Sequence, residues 1–270
     1  MCGIRLQSRI ILFTICSIFV YSCSTVPLTG RKQLSLVPAS EMLSMSTQEY
    51  NTFLQQNKLS TDQQASAMVR RVGSRIQGAV ERYFSEKGLS DQLSGYKWEF
   101  NLIESKEVNA WCMPGGKVVV YTGILPLTKD ENGLAVVLAH EISHAVARHG
   151  DERMSQQLLA QFGGTALSEA LAQKPAETKQ LWMAAFGAGA QLGILLPFSR
   201  TQESEADHLG LIFMAMAGYD PQTAIPFWER MAQQSAGNAP PAFLSDHPSD
   251  QARIDAIKSE MPEAMQYYKH

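Results

Sequence analysis

The pattern of hydrophobic and polar residues predicts helices at both ends of the chain and a small sheet between them. Apolar residues recur every three or four positions over residues 40–56 and 62–84, which predicts two amphipathic helices. β-branched and aromatic runs predict short strands, at residues 96–103, 108–112 and 118–121. The turn residues Pro114-Gly115-Gly116 separate the last two strands.

Helical periodicity returns at residue 130 and dominates the rest of the chain. Leu134, Val137, Leu138 and Ile142 follow the spacing of one helix that continues to about residue 147, and Gly150 is expected to end the segment. Further helices are predicted at residues 152–172, 178–192, 202–217, 221–234 and 249–261. The expected fold class is therefore α+β and helix-rich, with the small sheet beside the helix at residues 130–147.

Residues 181–198 are apolar or small at every position except Gln191. The part before Pro197 would extend only about 24 Å as a helix, which is short of the roughly 30 Å of a hydrocarbon core. We expect a buried or surface-exposed apolar helix here, and contact with a membrane surface is the alternative.

Composition indicates an ordinary globular protein, with 45% hydrophobic and 18% charged residues and a formal net charge of -3. Nucleic-acid binding is not expected, because no excess of basic residues is available to neutralise phosphates.

The N-terminus has the pattern of an exported lipoprotein. Arg5 and Arg9 precede a short apolar run at residues 10–21, as in a signal peptide. The following Ser22-Cys23 resembles a bacterial lipobox, in which the cysteine receives lipid and becomes the new N-terminus. Ser24 then points, by resemblance, to the inner leaflet of an outer membrane. The alternative is a plain secretory signal in which Cys23 is incidental.

These observations divide the chain into a lipoprotein signal peptide at 1–22, a lipid-anchored tether with an N-terminal helix at 23–59, and a main domain at 60–270. Cys112 is then the one remaining thiol, which we expect to be a buried, inert residue.

The string His140-Glu141-Ile142-Ser143-His144 is an HExxH motif within the helix predicted from residue 130. Two histidines one turn apart project from the same helix face and can offer two imidazole nitrogens to one Zn²⁺. Glu141 beside them can act as the general base of peptide hydrolysis.

A catalytic zinc needs a third protein ligand. Glu203 and Asp207 are four residues apart on the helix predicted at 202–217, so Glu203 can bind zinc while Asp207 orients a histidine of the motif. Glu205 is the rival ligand. His149 is expected at the helix end, where it satisfies free carbonyls.

With these motifs, the chain resembles metallopeptidase family M48. The matching pieces are Asn109-Ala110 with the following Pro-Gly-Gly turn, the HExxH motif, Ser199-Arg200 with Glu203 to Asp207, and Asp246-His247-Pro248 followed by Arg253. The resemblance implies a helix-rich zincin fold, one zinc per chain, Glu203 as the third ligand, and a substrate that pairs with the strand carrying Asn109 and Ala110.

The resemblance also implies roles for His247 and Arg253. His247 acts on substrate or as a reversible fourth zinc ligand, unless it merely caps the following helix. Arg253 binds the oxyanion or a substrate carbonyl, or else is a surface charge.

The sequence therefore predicts a lipid-anchored zinc endopeptidase of the bacterial periplasm, at the outer membrane, that degrades unfolded or misassembled envelope proteins. Outer-membrane assembly machinery is a potential partner. Two alternatives are a chaperone for outer-membrane proteins that rarely cleaves them, and a structural lipoprotein whose zinc is closed off by four permanent protein ligands.

Overall fold

The computed structural model describes residues 23–156, 196–235, 241–247 and 250–269. The strands are β1 (Cys23–Thr25), β2 (Lys32–Leu34), β3 (Glu99–Ile103), β4 (Ala110–Met113) and β5 (Lys117–Tyr121). The helices are α1 (Ala39–Gln56), α2 (Gln63–Glu86), α3 (Leu125–Thr128), α4 (Glu131–Val146), α5 (residues 149–156), α6 (Leu196–Met216), α7 (Ala224–Ser235), α8 (Ala242–Asp246) and α9 (Gln251–Tyr267).

These elements match the predicted α+β, helix-rich architecture. The signal peptide predicted at 1–22, most of the helix predicted at 152–172, the helix predicted at 178–192 and most of the apolar segment at 181–198 lie outside the described residues. Within the described parts of the chain, no helix combines the length and the apolar character needed to cross a bilayer.

The chain divides into two compact units, and the described residues of the smaller one are 23–39 and 151–156. Directly after Cys23, where a tether is predicted, β1 and β2 form an antiparallel hairpin that pairs Cys23 with Leu34. The Arg31 guanidinium donates two hydrogen bonds, of 3.0 and 2.8 Å, to the buried Glu152 carboxylate. This charged fork fixes the hairpin to α5.

The larger unit contains the three-stranded sheet, in the order β3-β5-β4. β5 lies in the centre, parallel to β3 and antiparallel to β4. All five β5 residues are buried, as expected for a central strand. β4 lies at an edge of this sheet and packs against α4.

Helix α4 lies at the centre of the larger unit and is buried from Gly133 to Val146. The Asp130 carboxylate caps its N-terminus by accepting a hydrogen bond from the Gly133 backbone at 3.0 Å. α4 ends at Val146, before Gly150, because Arg148 adopts a left-handed conformation with φ of 62°. This turn redirects the chain directly into α5.

α6 crosses α4 at very close range. A Cβ added at Gly210 would lie 3.2 Å from the backbone nitrogen of His140, so glycine permits this approach. The crossing brings the acidic residues of α6 beside the histidines of α4.

Candidate metal and active site

The two histidines of the HExxH motif converge as their spacing predicts. Their Nε2 atoms lie 3.0 Å apart, and His140 and His144 are only 2% and 9% exposed. Burial lowers the pKa of His144 well below its ordinary value, which favours the neutral imidazole that binds metals.

Glu203 on α6 faces both histidines. Its Oε2 lies 3.4 Å from His140 Nε2, and its Oε1 lies 3.3 Å from His144 Nε2. Burial raises the pKa of Glu203, but the hydrogen bonds from His140, His144 and His247 outweigh burial and lower it strongly. Glu203 is thus an ionised carboxylate at the position expected for the third ligand.

His247 completes the cluster. Its Nδ1 lies 3.0 Å from Glu203 Oε1 and 3.1 Å from His140 Nε2, and its Nε2 lies 3.3 Å from Glu141 Oε1. His247 does not cap the following helix, because Asp250 caps α9. Its backbone N–H instead closes α8 on the carbonyl of Phe243 at 2.9 Å.

The chemistry and spacing of these groups fit zinc. Four buried residues each place one donor atom within 4.8 Å of the other three, and the four are His140, His144, Glu203 and His247. Tetrahedral zinc with ligand bonds of about 2.0–2.1 Å separates its ligand atoms by about 3.3 Å. The contacts of 3.0 to 3.4 Å described above agree with that geometry.

Asp207 contacts the second nitrogen of His140, as expected from its spacing. Its Oδ1 lies 3.0 Å from His140 Nδ1. Burial opposes ionisation of Asp207, but the charge of Arg253 and the contact with His140 lower its pKa. A carboxylate that accepts from Nδ1 orients the ring and leaves Nε2 for the metal.

Arg253 is not the surface charge that the sequence left open, since it is only 9% exposed. Its Nε and one terminal nitrogen donate to the Asp207 carboxylate at 2.7 and 2.8 Å, and the other terminal nitrogen lies 3.1 Å from Glu203 Oε2. Its Cζ lies 3.5 Å from the ring centroid of Trp228. The guanidinium is therefore committed to holding acidic residues of α6, and a role on the oxyanion stays a prediction.

Glu205, the rival ligand, lies outside the cluster. Its Oε2 is 3.3 Å from Nε2 of His149, as its position about 200° around the helix from Glu203 requires. The expectation that His149 serves the helix end is wrong, because its ring is 1% exposed and its Nδ1 lies 2.9 Å from Nδ1 of His144. The left-handed turn at Arg148 brings it there.

β4, which carries Ala110 as its first residue, is an edge strand of the sheet as predicted. Asn109 precedes it, and the Asn109 carbonyl accepts a hydrogen bond from Tyr121 at 3.1 Å. Binding of substrate by these two residues stays a prediction. Cys112 on the same strand is half-buried, and burial together with the charge of Glu141 raises its pKa, which agrees with an inert thiol.

Sequence reasoning missed Trp228 as a member of the site. It is buried, lies under Arg253, and its ring centroid is 5.7 Å from that of His140. An apolar helix pattern around residue 228 gives no signal beyond a core position, so only the fold reveals this contact.

A helix-rich fold with two histidines and a glutamate converging from crossed helices defines the gluzincin-type zinc peptidases. The profile of Peptidase family M48 matches residues 71–261, and the chain belongs to this family.

The chain is similar to two mitochondrial proteases and to a bacterial one. It is 39% identical to mitochondrial metalloendopeptidase OMA1 of Schizosaccharomyces pombe over 70% of this chain and 53% of the relative. For OMA1 of Saccharomyces cerevisiae, identity is 30% over 96% of this chain and 75% of the relative. For the β-barrel assembly-enhancing protease of Yersinia pestis, identity is 35% over 60% and 34%. The chain thus spans about half the length of the S. pombe relative.

Proposed function

We propose that this protein is a zinc-dependent endopeptidase. The observation that carries the proposal is the convergence of His140, His144 and Glu203 with Glu141 adjacent to them. Bound by these three residues, zinc would supply a Lewis acid that polarises the scissile carbonyl and activates water.

Glu141 is the proposed general base. It follows His140 in the chain and is 4% exposed. Its Oε1 lies 3.3 Å from Nε2 of His247, a member of the cluster. A carboxylate at this point can accept the proton of the attacking water and return it to the leaving amine.

The proposed substrate is an unfolded or misassembled protein segment that binds as an extended strand beside β4. An edge strand offers free backbone groups for such pairing, and β4 packs directly against the HExxH helix. The proposed pairing begins beside Asn109 and Ala110, at the start of β4, and engages the backbone of the substrate. We therefore expect the cleavage rate to depend little on the side chains of the substrate.

His247 is proposed to act as a reversible latch. With four protein donors in the cluster, the water that an open catalytic site requires has no position. The helix preceding His247 is docked near the proposed substrate strand, because the Phe243 N–H donates to the carbonyl of Val108 at 3.1 Å. A segment that pairs along β4 would compete for this region and so favour withdrawal of His247.

The same four donors would also satisfy a closed structural zinc, which is the second candidate function. The two differ in one respect: a structural site does not need Glu141. Glu141 is buried, and its carboxylate lies 3.3 Å from His247 Nε2. A carboxylate buried beside the cluster without a role in holding the metal favours the enzyme.

We further propose that the protein acts in the bacterial envelope, anchored through lipid at Cys23 to the outer membrane. The short apolar run at residues 10–21 and the following Ser22-Cys23 support this location. The name of the Y. pestis relative supports a link to β-barrel assembly. The two OMA1 relatives are mitochondrial by name, and their similarity to this chain supports the peptidase activity rather than the lipid anchor.

The decisive experiment measures zinc content and casein cleavage in parallel. Glu141→Gln should retain one zinc per chain, because His140, His144 and Glu203 are unchanged, yet lose at least about 100-fold in cleavage. The matched control is Glu49→Gln at an exposed position of α1, which should match wild type. Full cleavage by Glu141→Gln would refute the mechanism, and zinc-loaded wild type without any cleavage would favour the structural site.

The latch has its own test. His247→Ala should raise casein cleavage or broaden its sites while zinc stays bound. A reduced rate at unchanged zinc content would instead assign His247 to the transition state. Unchanged cleavage of casein and of a natural substrate would rule out both roles.

A further inference from the structure

The ring of His144 is held from both sides. Its Nε2 faces His140 and Glu203 within the zinc cluster, and its Nδ1 lies 2.9 Å from Nδ1 of His149. The other nitrogen of His149 lies 3.3 Å from Glu205 Oε2. A continuous chain of polar contacts thus runs from a buried carboxylate on α6 through one imidazole to a zinc-binding imidazole.

The direction of this chain follows from what each group can donate. A zinc ion bound to Nε2 of His144 leaves the proton of that imidazole on Nδ1, which can then only donate. His149 Nδ1 accepts in that case, and the proton of His149 lies on Nε2, which faces the accepting Glu205 carboxylate at 3.3 Å. The contact of 2.9 Å between the two Nδ1 atoms is then a hydrogen bond only if His144 Nδ1 donates.

This proton arrangement leaves the lone pair of His144 on Nε2, the atom that faces the cluster. The other histidine reaches the same state more directly, because Asp207 contacts His140 Nδ1 at 3.0 Å. Each zinc-binding histidine is thus oriented from α6, one by a carboxylate and the other by a carboxylate acting through a second imidazole.

The burial of His149 and Glu205 argues that their contacts stabilise the folded protein. His149 is 1% and Glu205 is 9% exposed, and polar groups at such depth require hydrogen-bond partners. The backbone is also specialised, since Arg148 takes the left-handed conformation that delivers His149 to His144.

We propose that His149 and Glu205 are positioning residues that hold His144 in the tautomer whose Nε2 is free to bind zinc. The inference rests on the proposed function only in that zinc binds His140, His144 and Glu203. It predicts that zinc affinity depends on residues that do not touch the metal.

The test measures the zinc dissociation constant by competition with a chromogenic chelator, using the purified full chain. His149→Phe keeps a planar ring and removes the acceptor, and we expect it to raise the zinc Kd about 10- to 100-fold. His149→Asn retains an acceptor oxygen and should recover part of the lost affinity. Glu205→Gln should weaken zinc binding in the same direction by a smaller factor.

The control is His208→Asn, a half-exposed histidine on the same helix α6 whose Nδ1 lies 3.9 Å from Glu260. Its zinc Kd should equal that of wild type. The absorption spectrum of the cobalt(II) form gives a second readout, because a reoriented His144 changes the ligand field, whereas a merely structural role of His149 leaves the bands in place.

Wild-type zinc affinity and an unchanged cobalt spectrum in folded His149→Phe would overturn the proposal. If circular dichroism finds that this variant does not fold, Glu205→Gln decides: a wild-type Kd overturns the proposal and a raised Kd supports it. Absence of zinc binding by the wild type would overturn the proposed function, whereas zinc binding indifferent to residues 149 and 205 would overturn only this inference.

Discussion

Replacing Arg253 with methionine should destabilise the protein, because the buried Asp207 carboxylate loses its guanidinium partner. The guanidinium makes a two-pronged contact with Asp207, a third contact with Glu203 and a cation–π contact with Trp228. Removing one partner of a buried ion pair costs about 3–5 kcal/mol. Asp207 keeps its contact with His140, so we expect about 3 kcal/mol, or roughly 10 °C in Tm.

The assay is urea denaturation of zinc-free protein in the presence of a chelator, so that altered zinc binding does not contribute. The more exposed pair Arg71–Glu131 provides the control, and Arg71→Met should change stability far less than Arg253→Met, because solvent screens this contact. In a double-mutant cycle with Asp207→Asn, the combined loss should be smaller than the sum, since each single variant breaks the same contact.

The pH dependence follows from the lowered pKa of Asp207. A carboxylate whose pKa is lowered by folding contributes stability above its ordinary pKa of 3.8, and this stability is lost as pH falls. The difference between wild type and Arg253→Met should therefore shrink below about pH 4. Unchanged stability with a large loss of kcat would refute this reasoning and return Arg253 to the oxyanion role.

Three further results are expected. Glu203→Ala should fall well below one zinc per chain by metal analysis, whereas Glu205→Gln should still fill its site at saturating zinc; the opposite result would exchange the ligand assignment. Burial, with Asp207 and Glu263 nearby, raises the pKa of Glu260 from 4.5 to about 7, so ionising it costs stability as pH rises through this range. Glu260→Gln should then raise the free energy of unfolding by about 1–2 kcal/mol at pH 8 and leave it unchanged near pH 4, and equal gains at both values would contradict this. Cys23→Ala should abolish metabolic labelling with palmitate, and retained labelling would move the anchor elsewhere.

The HExxH pair was predictable because both histidines belong to one helix, where spacing alone sets their direction. Glu203 and Asp207 lie one turn apart on α6, so their shared helix face was predictable in the same way. That this face meets the histidines of α4 was inferred from the family resemblance. The partners of Arg253 depend on how α9 meets α6, and no local pattern encodes this packing.

His149 illustrates a different limit of sequence reasoning. A helix extended to Gly150 would place it near the free carbonyls, so the expected role was reasonable for that backbone. One left-handed residue, Arg148, ends α4 early and turns the side chain inward instead. Non-glycine residues adopt that conformation too rarely for the sequence to predict it.

The balance of buried charge provides an independent argument for a cation at this site. Four acidic side chains of the described residues lie in or beside the cluster, each less than a tenth exposed: Glu141, Glu203, Glu205 and Asp207. Arg253 is the guanidinium that reaches them, through Asp207 and Glu203. Carboxylates at such depth need charged or hydrogen-bonding partners, and a divalent cation bound among them would stabilise the ionised forms. The fold therefore concentrates buried acid where three imidazoles converge, which is the donor set that a divalent metal ion prefers.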